Sequence, residues 1–369
     1  MNQVYQKKLS GNRVGVVFGS FSPLHQGHLD IIYQAKKEND AGCIVIVCGY
    51  AGDKGEPSMP HAKRYRYVRE FFSDDELVAV YAINDTEIGI GKYPTGWEGW
   101  LKEFWRIYSG AVEGDPTRTW YVGEPDYKAG LEERGETAVL ADRRLNPISG
   151  TAIRNNPIKN WDKITYPFRR VFSTNILIAG TASEGKTTMV KDLGKYFNSP
   201  YSWEWPRDYM TESCVSDWEL DGEDFIAFLQ GQHNLNKKLI NSPTNNGIFF
   251  ADTDSMVTRM YAEYYSKDTA CALTPAEFEK VATMADEIDK KCRWDKIFLL
   301  CPKGVFVDDH SRFMNHSGMT EREELFTILC NNYKRAGKWD KVEILDKGYY
   351  GNFLEIKKYV EGIIENGKH

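Results

Sequence analysis

Apolar and polar positions divide this chain into two recurring kinds of segment. Short, almost continuously apolar runs fall at Val14–Phe18, Cys43–Cys48, Leu77–Ile83, Thr119–Gly123, Ser173–Ala179, Gly247–Asp254, Lys296–Cys301 and Val342–Leu345. Such runs read as strands buried on both faces. Between them lie stretches with apolar residues at helical spacing, such as Leu29, Ile32 and Ala35, or Met189, Leu193 and Tyr196. The segments His61–Phe72, Phe225–Ile240, Pro275–Cys292 and Phe353–Ile364 also read as helices. Strand, helix, strand in this rhythm predicts crossover connections and parallel sheets, hence an α/β fold. The rhythm breaks once, over NNPIKNWDKITYPFRRVF, where Pro157 and Pro167 interrupt any regular element. This places a boundary near Arg169 and predicts two domains, 1–168 and 169–369, each built on a mainly parallel sheet.

Composition narrows the class without changing that picture. At 369 residues the chain is long for one domain. Its 41% hydrophobic and 27% charged residues are ordinary for a soluble protein. A net charge of −6 argues against a whole-surface nucleic-acid binder. The opening MNQVYQKKLSGNR has no apolar signal core, and no apolar run approaches the ~18 residues of a membrane span. The seven cysteines include no C-x-x-C pair, so mostly buried, reduced thiols in the cytoplasm are expected.

The first chemically loaded stretch is GSFSPLHQGH, Gly19 to His28, where the first strand hands over to a helix. Open α/β sheets bind ligands at such carboxyl ends. Gly19 permits close backbone approach, Pro23 stiffens the turn, and His25 and His28 can both donate to one anionic centre. Phe21 belongs to the same phosphate-facing loop. The second is ISGTAIR, where Ser149 is an expected N-cap and Thr151 and Arg154 join it toward an anion. Between them, the basic helix carries Lys63, Arg64, Arg66 and Arg69, which line either an anion or solvent. The loop YPTGWEGW offers Trp97 and Trp100, which are either core or a platform for a flat, cationic ring.

The second half opens with a buried strand running straight into GTASEGKTT and a helix. This is the phosphate-cradling G-x-x-x-x-G-K-T pattern in its required context. The loop residues Gly180, Ser183, Glu184, Gly185 and Thr188 surround the phosphates, Lys186 reaches the terminal ones, and Thr187 meets Mg²⁺. Downstream, ADTD supplies Asp252 and Asp254 as further Mg²⁺ candidates. WEWPRDY supplies Glu204, Arg207 and Asp208, with Asp208 the favoured proton acceptor. FVDDHSRFMN supplies Arg312 for the transferring phosphoryl group.

GSFSPLHQGH with ISGTAIR resembles the paired H-x-G-H and I-S-x-T-x-x-R elements of the nucleotidyltransferase superfamily. Over nearly its whole length, adding YPTGWEGW, NNPIKNW and GTASEGKTT, the chain resembles the bifunctional NadR-type proteins. That resemblance implies an N-terminal Rossmann-like adenylyltransferase domain and a C-terminal P-loop kinase domain. It implies that the kinase converts nicotinamide riboside to nicotinamide mononucleotide with Mg-ATP, and that the first domain then makes NAD. Adenylyl transfer would be direct, with His25 and His28 stabilising charge. Enterobacterial members also carry a DNA-binding helix-turn-helix; about a dozen residues before the first strand are too few for one, so no specific DNA binding is expected. A homo-oligomer is compatible with the pattern. Two rivals stand beside this reading. One is a coenzyme A synthase-like adenylyltransferase/kinase; the other is a nucleotide-sensing regulator with a single active domain.

Overall fold

In the first part of the chain the apolar runs pair side by side. A computed structural model describes residues 8–49, 59–91, 95–303 and 318–366. The N-terminal strands are β1 (Arg13–Gly19), β2 (Cys43–Cys48), β3 (Val78–Ile83), β4 (Thr117–Val122) and β5 (Ala138–Leu140). The helices are α1 (Gln26–Glu38), α2 (His61–Phe71), α3 (Asp85–Ile88), α4 (Trp97–Ala111), α5 (Pro125–Glu132), α6 (Gly150–Asn155) and α7 (Tyr166–Phe172). The strand order is β3-β2-β1-β4-β5, every pair parallel. Because strand side chains alternate, each strand feeds two cores. Val14, Val16, Ile44 and Ile46 meet Leu101 and Phe104 of α4 on one face. Val17, Val45 and Val47 meet Ile32 and Ala35 of α1 and Phe168 and Phe172 of α7 on the other. Gly15 lets α1 lie against β1: a Cβ there would sit 2.8 Å from the Ala35 carbonyl oxygen.

The second sheet repeats the plan with β6 (Thr174–Gly180), β7 (Tyr201–Ser202), β8 (Ile248–Ala251), β9 (Lys296–Leu300) and β10 (Val342–Leu345). Its helices are α8 (Lys186–Phe197), α9 (Trp205–Ser213), α10 (Gly222–Ile240), α11 (Ser255–Tyr265), α12 (Pro275–Asp289), α13 (Met319–Arg335) and α14 (Gly348–Asn366). The order β10-β9-β6-β8-β7 is again wholly parallel. Leu177, Phe249, Ile297 and Leu299 bury against Phe228, Met260, Val281 and Leu329 of the helices. Each such side chain contributes about 2 kcal/mol.

The fold is therefore α/β with two five-stranded parallel sheets. The chain divides into two compact units after Phe172, since Phe168, Val171 and Phe172 all bury in the first unit's core. The seven cysteines are all free; Cys43, Cys48 and Cys330 are buried, Cys271, Cys292 and Cys301 half-buried and Cys214 exposed, so fewer are fully buried than expected. Among the described residues, no helix is long and apolar enough to cross a membrane.

Candidate active sites

At the carboxyl end of β1 the chain turns through Ser20 to Leu24 into α1, and His25 and His28 stack ring on ring with centroids 3.8 Å apart. His25 is buried and His28 half-buried, and on each ring Nδ1 is enclosed with no partner among the described residues. Burial, then the nearby Arg143 guanidinium, lowers the His25 pKa to about 4. Burial, then His25 and Arg143, holds His28 well below the ordinary imidazole value. Two neutral imidazoles with unused nitrogens beside a guanidinium make a site that gains by receiving an anion. Arg143 enters from the loop after β5 and pairs with Glu124; nothing local in the sequence signals it.

The ISGTAIR element closes the site from the other side. Ser149 caps α6, accepting from Ala152 N–H at 3.1 Å. Arg154 donates to the Ser22 carbonyl at 2.5 Å and to the Thr151 hydroxyl at 3.1 Å, so the helix grips the histidine loop. Gly27 leaves a gap at which a Cβ would lie 3.3 Å from the His25 ring. From α2, Arg64 is buried and donates to the carbonyls of Met59, Cys48 and Ser20, tying the strand ends together. Lys63 and Arg66 face solvent.

Two expectations here are corrected. Phe21 is 1% exposed and turns its ring edge to His28, 5.1 Å between centroids, so its side chain backs the imidazole rather than meeting a phosphate. Its φ of 45° is the backbone cost of the turn beside Gly19. Trp97 is core, not a ring platform. It is 5% exposed, packs with Phe18 and Tyr127, and donates Nε1–H to the Gly130 carbonyl at 3.0 Å. Trp100 is half-buried, its Nε1–H on the Gly91 carbonyl at 3.0 Å, and keeps part of its ring available.

In the second unit β6 runs into the loop Gly180–Gly185 and then α8. Gly180, Ser183 and Gly185 adopt φ of 153°, 61° and 77°, the alternation that turns successive N–H groups inward. Lys186 is buried and donates to the Thr181 carbonyl at 2.7 Å, while Thr188 is exposed on the first turn of α8. The Thr187 hydroxyl donates to Asp252 Oδ2. Asp252 itself is wholly buried just past β8, with Oδ1 unpartnered among the described residues. Burial raises its pKa to about 6, against the pull of Lys186, with Glu204 adding to the rise.

Here three further expectations change. Asp254 serves as a helix cap instead of standing open to an ion. It caps α11 through Met256 and Val257 N–H, and also accepts Trp294 Nε1–H and Tyr333 O–H, so both oxygens are engaged. Asp208 is exposed and accepts Trp203 Nε1–H, whereas the charge of Glu204, at the start of α9, is near enough to Asp252 to raise that carboxyl's pKa. WEWPRDY is helical from Trp205, with Pro206 near the helix start, and that phase separates the two acids. The Glu184 side chain turns away from the phosphate cradle into a buried ion pair with Arg322 of α13. Arg312 lies outside the described residues. A cavity of about 450 Å³ opens beside Glu204 and Thr253, lined by Arg207, Asp217, Trp218, Tyr261 and Tyr265.

A doubly wound sheet with paired histidines, joined to a P-loop sheet with a threonine–aspartate pair, defines a nucleotidyltransferase-like domain followed by a phosphate-transfer domain. Residues 16–156 match the cytidylyltransferase-like family model and residues 175–349 an AAA domain model. The chain is 28% identical to the trifunctional NAD biosynthesis/regulator proteins NadR of Salmonella typhimurium and Escherichia coli, over 94% of its length and 82% of theirs. It also matches a crystal structure of NadR protein in complex with NR at 33% identity and a TM-score of 0.84, covering 98% of both chains. A second, NadR with NAD and AMP-PNP, matches at 34% identity and the same TM-score, covering 97% of this chain and 98% of that one. The chain belongs to the NadR family.

Proposed function

We propose that this chain is a bifunctional enzyme of NAD salvage, phosphorylating nicotinamide riboside in residues 173–366 and adenylylating the product in residues up to 172. The observation that carries this reading is the coexistence of two separately built phosphate sites, the stacked His25–His28 pair and the Lys186–Thr187–Asp252 cluster.

In the second unit the loop N–H groups and Lys186 hold the ATP phosphates. Mg²⁺ fits the donor set at Thr187 and Asp252, because Asp252 offers a buried, unpartnered oxygen beside a hydroxyl. When bound, the ion neutralises charge on the phosphates. The riboside occupies the 450 Å³ cavity, with Trp218 or Tyr261 beside its ring and the buried Asp217 supplying negative charge for a pyridinium. Glu204 accepts the proton of the 5′-hydroxyl as that oxygen attacks the γ-phosphorus and ADP leaves. In the first unit the mononucleotide phosphate attacks the α-phosphorus of a second ATP, and pyrophosphate departs. His25, His28, Arg154 and Arg143 stabilise the charge that develops, which is electrostatic work by pre-placed donors. The remaining ring platform, Trp100, is assigned to the nicotinamide of the mononucleotide.

Incubation of the purified chain with Mg-ATP and nicotinamide riboside, followed by chromatography, tests this. Mononucleotide and then NAD are expected; a nucleoside left untouched would refute the kinase assignment.

A further inference from the structure

The phosphate loop contains a residue that its chemistry does not ask for. Glu184 stands one position before Gly185, in a loop shaped to receive a polyanion, where an unneutralised carboxylate would repel it. The structure withdraws that charge. Glu184 pairs with Arg322, the two side chains being only 6% and 2% exposed, and its other oxygen lies 3.5 Å from the Lys303 N–H. The residues on either side of Glu184 are both left-handed: Ser183 at φ 61° and Gly185 at φ 77°. A non-glycine residue persists there only where its surroundings over-determine the backbone.

Arg322 is well placed to supply that determination. It lies in the first turn of α13, whose Leu325, Leu329 and Tyr333 are buried in the unit's main core. Tyr333 further donates to Asp254 at 3.0 Å, the residue that caps α11. The guanidinium is therefore held by the core, and the loop is held by the guanidinium.

We propose that Arg322 is a positioning residue for phosphoryl transfer: by binding Glu184 it fastens the phosphate loop in its cradling shape and cancels the loop's own negative charge. It touches neither ATP nor acceptor. This rests on the kinase reading above for the acceptor, and on the loop geometry alone for the nucleotide.

The test uses the full chain with Arg322→Met, Arg322→Lys and the neutral double variant Glu184→Gln/Arg322→Met. Riboside phosphorylation is followed for kcat and both KM values, and Mg-ATP affinity is measured beside it by calorimetry. Adenylyl transfer from supplied mononucleotide reports that the protein is intact. Arg322→Met is expected to raise KM for Mg-ATP about tenfold, the worth of one charge-assisted hydrogen bond. KM for the riboside should stay within about twofold, and Arg322→Lys should recover most of the loss. The double variant, which buries no lone charge, should fall between wild type and Arg322→Met: repulsion is gone but the fastening is too. If Arg322→Met does not fold, the double variant decides, an unchanged Mg-ATP affinity overturning the proposal. Equal rises in both KM values would likewise overturn it, leaving Arg322 a purely structural residue. No turnover of riboside by the unaltered chain would refute the acceptor reading instead, while the calorimetric comparison still judges the positioning role.

Discussion

Asp252 and Asp254 leave the same strand end two positions apart, and their surroundings pull them toward different uses. Asp252 has one oxygen on Thr187 and one with no partner among the described residues, inside a wholly buried site. Asp254 satisfies four donors from three directions. Asp252→Asn should therefore abolish riboside phosphorylation while leaving stability unchanged or raised, because a poorly paired buried carboxylate is a stability cost. Asp254→Ala should lose about 3 kcal/mol, since a cap and two further donors are orphaned together. Urea unfolding midpoints separate the two; equal destabilisation by both would contradict the assignment. The histidines give a second prediction. His25 is lowered from 6.5 to about 4 and His28 is lowered too, so the folded chain refuses protons that the unfolded chain accepts. Their contribution makes stability fall as pH drops from 6.5 toward 4, and is constant above 6.5. NMR titration should find the His25 midpoint far below 6.5 in the free protein and higher with ATP bound; an ordinary midpoint in the free protein would count against the buried pair.

At the scale of elements, most of what mattered was legible where the backbone itself does the chemistry. Glycines, a capping serine and strand-to-helix handovers mark the two phosphate loops, because only certain residues tolerate those conformations. The long apolar runs marked the buried strands, whereas the short β5 carried too little pattern to be seen. What failed were choices set by packing. Trp97 and Trp100 share a helix start, and only the placement of Phe18 and Tyr127 decides which ring is enclosed. Glu204 and Asp208 are separated by the phase of α9, which the spacing of the two acids alone does not reveal. Arg143 and Arg322 act on residues more than a hundred positions away in sequence, so no local signal points to them. The β1–α1 contact supplies a prediction at this scale. Gly15→Val would force a Cβ against the Ala35 carbonyl and should cost about 2 kcal/mol or more by overpacking. Thermal unfolding should show the first unit melting earlier while riboside phosphorylation persists; loss of both activities together would contradict independent cores.

For the whole molecule, the economy of the arrangement is that one chain carries consecutive steps on two cores, each unit burying its own sheet. The same parallel architecture serves both, but the anion is met differently: by paired imidazoles in the first unit and by a backbone loop with a lysine in the second. Because these two devices belong to separate units, they should be separable by single substitutions. The most direct measurement is the product pattern of His28→Ala and Lys186→Ala, each given Mg-ATP with either riboside or mononucleotide. His28→Ala should accumulate mononucleotide from riboside and make no NAD from either substrate. Lys186→Ala should make NAD from mononucleotide and leave riboside untouched. If either substitution, in a protein that remains folded, abolished both reactions, the picture of two independent active sites would be wrong.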